Sequence, residues 1–216
     1  MMNLKSYKTW VFDCDGVILD SNRIKTDAFF RAAEPYGSKY AQQLVDYHVN
    51  NGGVSRYIKF QRFLTHILGQ ESPDQEGLNH LLSDYAGFVE QGLLSCAVAP
   101  GIERLRNLTE GAKWLIVSGG DQEELRSVFR KRGLDHLFDG GIFGSPATKD
   151  EILSRLQTGD VMQQPAVFVG DSRYDIEAAK RAGLDFIFVR NWSESTFDFK
   201  DADLKLDSIA AIGDQF

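Results

Sequence analysis

Short apolar runs alternate along the chain with stretches whose apolar residues recur every three or four positions. Trp10-Val11-Phe12, Trp114-Leu115-Ile116-Val117, Gly141-Ile142-Phe143, Ala166-Val167-Phe168-Val169 and Phe186-Ile187-Phe188-Val189 read as strands. Between them, Ile102, Leu105 and Leu108 share one helical face, as do Leu125, Val128 and Phe129, then Ile152, Leu153 and Leu156, then Ile176, Ala179 and Ala182. Strands apolar on both faces, separated by helices, predict an α/β fold whose Rossmann-like parallel sheet is covered on both sides. Residues 18–95 break this rhythm, with helical periodicity only: Phe60, Phe63, Leu64, Ile67 and Leu68, then Leu78, Leu81, Leu82, Tyr85 and Phe88. A connection of that length between the first two strands is expected to form its own small helical domain. The predicted division is 1–17 plus 96–216 for the α/β core and 18–95 for the helical insert, with Pro100-Gly101 marking re-entry into the core.

Composition narrows the function. The 216 residues carry 24 Lys and Arg against 31 Asp and Glu, a formal net charge of −7 with no basic run, which argues against nucleic acid and anionic membranes as partners. No apolar stretch approaches a membrane span, and Met1 to Lys8 lacks the apolar segment of a signal peptide. Cys14 and Cys96 lie too far apart to suggest a disulfide framework or a metal knuckle. A cytoplasmic enzyme or binding protein is expected.

The candidate chemistry gathers after the apolar strands, where open α/β sheets bind ligands. Asp13-Cys14-Asp15-Gly16 puts two carboxylates just past the first strand, one able to attack as nucleophile and the other to move protons. Asp-Gly is also an ordinary turn, so this motif alone leaves both readings open. The fourth strand runs into Gly170-Asp171-Ser172-x-x-Asp175. If the two strand ends are neighbours, three or four acids converge and need a cation, and hard oxygen donors favour Mg²⁺. Helix capping by Asp171 or Ser172 explains one of these residues but not the set. Ser118-Gly119-Gly120 is either a plain cap or a phosphate cradle at a helix N-terminus, and Lys149 stands at the start of a helix.

Taken in order, strand–DxDG, strand–SGG, Lys and strand–GDSxxD resemble the haloacid dehalogenase superfamily of phosphotransferases, in the class with a helical cap inserted after the first motif. The resemblance implies Asp13 as a nucleophile forming an aspartyl-phosphate and Asp15 as the acid that protonates the leaving alcohol and then activates water. It implies Mg²⁺ held by Asp13, the Asp15 backbone carbonyl and Asp171, with Asp175 as ligand or close partner. Ser118 and Gly119 would bind the transferring phosphoryl, and Lys149 would neutralise nucleophile and phosphate. Asp15 must be protonated for part of the cycle, so its pKa is expected to be raised by the neighbouring acids. Lys149 lies in Thr148-Lys149-Asp150 rather than the Lys-Pro form common among relatives, and the usual His-like position of the first cap helix is Lys25.

An Asp two residues after the nucleophile implies a phosphatase or phosphomutase. Gly52-Gly53-Val54-Ser55-Arg56 resembles the cap loop of β-phosphoglucomutase relatives, in which an Arg grips a second phosphate. No Lys or Arg occurs from Phe63 to Glu103, so the second cationic grip a mutase needs is missing, and the balance favours a phosphatase for a small phosphorylated metabolite such as a sugar or polyol phosphate. Cap charge is uneven, +3 up to Arg62 and −5 from Phe63 to Ser95. The first half, with Lys25 and Arg56 as candidate substrate contacts, is therefore expected to face the active site and the second to face solvent. His48, His66, His80 and His136 show no metal spacing and read as structural or surface residues.

Overall fold

The computed structural model describes residues 2–216. Six parallel strands form one sheet in the order β3-β2-β1-β4-β5-β6: β1 (Thr9–Phe12), β2 (Lys113–Asp121), β3 (Gly141–Ser145), β4 (Ala166–Gly170), β5 (Asp185–Val189) and β6 (Leu204–Leu206). The short β6, pairing with β5, carries no apolar run and escapes the sequence pattern.

Side-chain alternation along the strands divides the core into two layers. Trp10, Phe12, Trp114, Ile116, Val167 and Val169 point to one face, where α5 (Ile102–Leu108), α6 (Gln122–Lys131) and α9 (Ile209–Gly213) pack. Val11, Leu115, Val117 and Phe168 point to the other, under α7 (Lys149–Thr158) and α8 (Arg173–Arg181). Within the predicted helical faces, Ile102 and Leu105 are buried, but Leu108 is exposed at the end of α5.

Between β1 and β2 run α1 (Asn22–Ala33), α2 (Ser38–Asn50), α3 (Arg56–Arg62), a π-helical turn (Phe63–Ile67) and α4 (Gln75–Ser95). Their shared interior is aromatic: the Phe29 ring lies 5.1 Å from Phe60 and 4.4 Å from Tyr85.

The topology positions the site. β1 is central, flanked by β2 and β4 with Phe12 paired to Ile116 and Val169. The carboxyl ends of these three strands therefore converge where the strand order reverses, the usual ligand crevice of an open α/β sheet.

Candidate active site

Asp13 leaves β1 with its N–H donated to the Val169 carbonyl at 2.9 Å, which anchors it beside the end of β4. The chain then turns at Gly16, whose φ is +75°. A Cβ there would fall 2.2 Å from Asp171 Oδ2, so only glycine lets the DxDG turn approach this carboxylate. Carboxylate oxygens of Asp13, Asp171 and Asp175 all come within 4.8 Å of one another, and all three residues are buried.

Lys149, at the first position of α7, is buried among them. Its Nζ lies 2.8 Å from Asp13 Oδ1 and donates to Asp175 Oδ1. Asp13 Oδ1 has no hydrogen-bond partner despite that proximity. Burial, opposed by Lys149 and reinforced by Asp175 and Asp15, pushes the Asp13 carboxyl up to about 7. Burial and the charges of Asp175 and Asp13 hold Asp171 well above the ordinary range. Asp13 and Asp175 thus share one ammonium, while Asp171 has no cation within ion-pair distance among the described residues, so the three buried acids are under-neutralised. These hard oxygen donors fit a divalent cation such as Mg²⁺.

The acids are not equivalent. Asp175 closes a capping box at the start of α8: its Oδ2 accepts from Ser172 N–H at 2.9 Å, Ser172 Oγ at 2.7 Å and Asp171 N–H at 3.2 Å. With Oδ1 held by Lys149, both its oxygens are engaged, so it chiefly shapes the loop and fixes the ammonium. The Asp15 carboxylate stands apart from the cluster, accepting from Lys25 Nζ at 2.5 Å and Ser21 Oγ at 2.6 Å. Burial would raise its pKa, but the Lys25 ammonium and these hydrogen bonds lower it. The expectation of a raised Asp15 is therefore reversed, because Lys25 comes closer to it than the other acids do.

A second correction concerns Ser118-Gly119-Gly120. β2 continues through these residues to Asp121, with a register shift against β3 between Val117 and Asp121. The cradle is an irregular strand end, not a helix N-terminus; Asp121 caps α6. Ser118 is fully buried, and its Oγ accepts from Gly120 N–H at 3.0 Å. Gly119 meets the helical insert: a Cβ there would lie 2.1 Å from the Gly53 carbonyl oxygen.

A cavity of about 60 Å³ lies between the sheet and these helices, lined from below by Asp13, Asp15, Gly119 and Asp171 and from above by Lys25, Gly53, Arg56 and Tyr85. Lys25 and Arg56 both reach it, but Arg56 is bound by both oxygens of Glu124 on α6 and lies over the Tyr85 ring. Arg23, Arg31, Lys39 and Arg62 are exposed, so only part of the basic half faces inward, whereas Glu71, Asp74, Glu76, Asp84 and Glu90 all face solvent.

Several lining residues were not singled out by motif. Asn22 donates to Asp171 Oδ2 at 2.8 Å. Lys59 and His48 line the roof and bond each other at 2.7 Å. Lys59 stands one turn beyond Arg56 on α3, a helical spacing that could have marked it.

A Thermotoga maritima phosphatase of phosphorylated carbohydrates is 25% identical over 188 residues, 82% of each chain. Among solved structures, CbbY from Rhodobacter sphaeroides in complex with phosphate superposes with a TM-score of 0.73 at 21% identity, over 96% of each chain. β-Phosphoglucomutase from Clostridium difficile does so with a TM-score of 0.73 at 21% identity, over 94% of this chain and 92% of that one. These structural likenesses establish a shared fold. The model of the haloacid dehalogenase-like hydrolases matches residues 7–183, a span that begins just before β1 and holds the whole carboxylate cluster with Lys149, and the chain belongs to that family.

Proposed function

We propose that the chain is a Mg²⁺-dependent phosphatase of a small phosphorylated metabolite, most simply a sugar or polyol phosphate. The observation that carries this reading is the buried Asp13–Lys149–Asp171–Asp175 cluster opening onto the same cavity as Asp15. Family membership and the phosphatase named in Thermotoga maritima support it.

Asp13 and Asp171, with the Asp15 backbone carbonyl, would hold Mg²⁺, which supplies positive charge to the phosphoryl oxygens when bound. Asp13 attacks phosphorus while the P–O bond to the alcohol breaks, leaving an aspartyl-phosphate. Asp15 would deliver a proton to the departing oxygen, which requires that substrate binding draw Lys25 away from it so that the carboxylate can first take up that proton. It then takes a proton from the water that attacks the same phosphorus as the P–O bond to Asp13 breaks. Ser21 and Lys25 hold the Asp15 carboxylate in place, Gly119 lines the cavity where the phosphoryl would sit, and Ser118, buried with its Oγ on Gly120 N–H, would have to turn towards it, with Lys149 offsetting charge on Asp13. Residues 18–95 act as the cap that covers the substrate and excludes bulk water.

A β-phosphoglucomutase activity is the rival, favoured by the Gly52–Arg56 loop. It is weakened by Glu124, which already occupies the Arg56 guanidinium. Incubation of the Mg²⁺-loaded protein with hexose 1-phosphates separates the two. Release of inorganic phosphate, reduced at least about a thousandfold by Asp13→Asn, is the expected result. Accumulation of the 6-phosphate isomer would identify a mutase, and undiminished turnover by Asp13→Asn would refute the nucleophile.

A further inference from the structure

The acids of the buried cluster are held in place by different means. Asp175 has both oxygens engaged, by Lys149, by Ser172 and by the Asp171 N–H, and Asp13 lies against Lys149. Those partners all belong to the α/β core. Asp171 differs. Among the described residues its carboxylate takes one side-chain hydrogen bond, from Asn22 Nδ2 at 2.8 Å, and Asn22 is the first residue of α1 in the helical insert.

The contact is built from several sides. A Cβ at Gly16 would fall 2.2 Å from Asp171 Oδ2 and 2.4 Å from Asn22 Nδ2, so the glycine leaves open the space in which amide and carboxylate meet. The same amide also donates to the Trp192 carbonyl at 2.8 Å, on the segment that follows β5. One turn along α1, Thr26 donates to Glu194 Oε2 at 2.6 Å on that segment, and Ser193 Oγ donates to the Asp171 carbonyl at 2.7 Å. α1, residues 192–194 and Asp171 thus form one hydrogen-bonded unit across the boundary between insert and core. The two chain crossovers are tied together just before it, where Asp20 N–H donates to the Ala97 carbonyl at 3.0 Å. Asn22 lies past that tie, on the insert side. A hydrogen bond is lost once its atoms separate by about 1 Å more, so lifting of the insert breaks this one and leaves the Asp171 carboxylate free to rotate.

We infer that Asn22 is a positioning residue that couples closure of the insert to the metal site, holding the Asp171 carboxylate beside Asp13 and Asp175 only while the insert is closed. By linkage, a divalent cation at this site favours closure as much as closure favours the cation. The inference takes its cation site from the phosphatase reading and adds to it a dependence on the position of the insert.

The test measures two quantities on the substrate-free protein: Mg²⁺ affinity by isothermal titration calorimetry, and hydrogen exchange of residues 52–56, which include the Gly53 that packs on Gly119. Asn22→Ala is expected to weaken Mg²⁺ binding about tenfold. Thr26→Val, which touches no member of the acidic cluster, should weaken it by a smaller factor, through looser closure alone. Saturating Mg²⁺ should slow exchange across residues 52–56 in the wild type, and this slowing should vanish in Asn22→Ala at its own saturating Mg²⁺. Unchanged Mg²⁺ affinity in either variant, or Mg²⁺-dependent slowing that persists in Asn22→Ala, would overturn the coupling while leaving a phosphatase. Coupling observed without phosphate release from hexose 1-phosphates or p-nitrophenyl phosphate would overturn the phosphatase reading alone. A wild type that binds no Mg²⁺ would overturn both.

Discussion

Lys25, Lys59 and Lys149 are buried lysines around one cavity, and their neighbours set them in different electrostatic states. Burial pushes each towards the neutral form. Asp15 overrides this at Lys25, and Asp13 with Asp175 overrides it at Lys149, so both are raised. At Lys59 burial wins, aided by the charges of Lys25 and Lys149 against weaker pull from Asp15 and Asp13, and its pKa falls from 10.5 to about 7. In the unfolded chain Lys59 regains its ordinary pKa, so between about pH 7 and 10.5 the unfolded state binds more protons and stability from this residue rises with pH. The penalty is fully present below about pH 7 and changes by up to roughly 1.4 kcal/mol per pH unit above it. Lys59→Met should therefore raise Tm most at and below pH 7, with the gain over wild type fading towards pH 10. A gain independent of pH would mean that Lys59 is not buried with a depressed pKa. The same contrast explains what was legible here. Asp13, Asp171 and Lys149 stand out because motif order marks them, whereas the pairing of Arg56 with Glu124 joins residues 68 positions apart and leaves no local trace.

At the scale of elements, helix starts place the catalytic candidates. α7 opens with a capping box: Thr148 Oγ1 accepts from Glu151 N–H at 3.2 Å, and Glu151 accepts from Thr148 N–H at 2.8 Å. Lys149 is the next residue, so the cap sets the point from which its side chain enters the cluster. α8 opens the same way through Ser172 and Asp175. Thr148→Ala should lower the free energy of unfolding by about 1 kcal/mol, read from denaturant titration, with a measurable loss of turnover. Unchanged stability would show that α7 does not depend on its cap. The sequence placed Lys149 at a helix start, so this start was readable, but β2 was not readable to its end. Gly119 and Gly120 look like a loop in sequence, and only pairing with β3 carries the strand to Asp121.

At the scale of the molecule, the insert is closed onto the sheet. The Gly53 carbonyl reaches the Gly119 backbone so closely that a methyl at Gly119 would sit 2.1 Å from it. The cavity left beneath, about 60 Å³, has room for several waters or a phosphate-sized group. A sugar phosphate therefore requires the helices and the sheet to separate before it binds. Gly119→Ala should prevent full closure, lowering kcat/KM at least about tenfold while the circular dichroism spectrum stays native. Wild-type turnover in that variant would show that this contact is not part of the reactive state.

The sequence by itself determined the alternation of strands and helices, the helical insertion after β1, and the order of the acidic and basic motifs, because periodicity and turn chemistry act over neighbouring residues. Parallel pairing then put Asp13 and Asp171 side by side, an outcome already implied once the strands were ordered around β1. Tertiary structure alone decided the charge partners. Lys25 lowers the Asp15 pKa that sequence reasoning expected to be raised, Glu124 takes Arg56, and Lys59 is left facing the cavity without a counter-charge. Coulombic interaction depends on separation in space and on burial, and neither can be read from the spacing of residues along the chain.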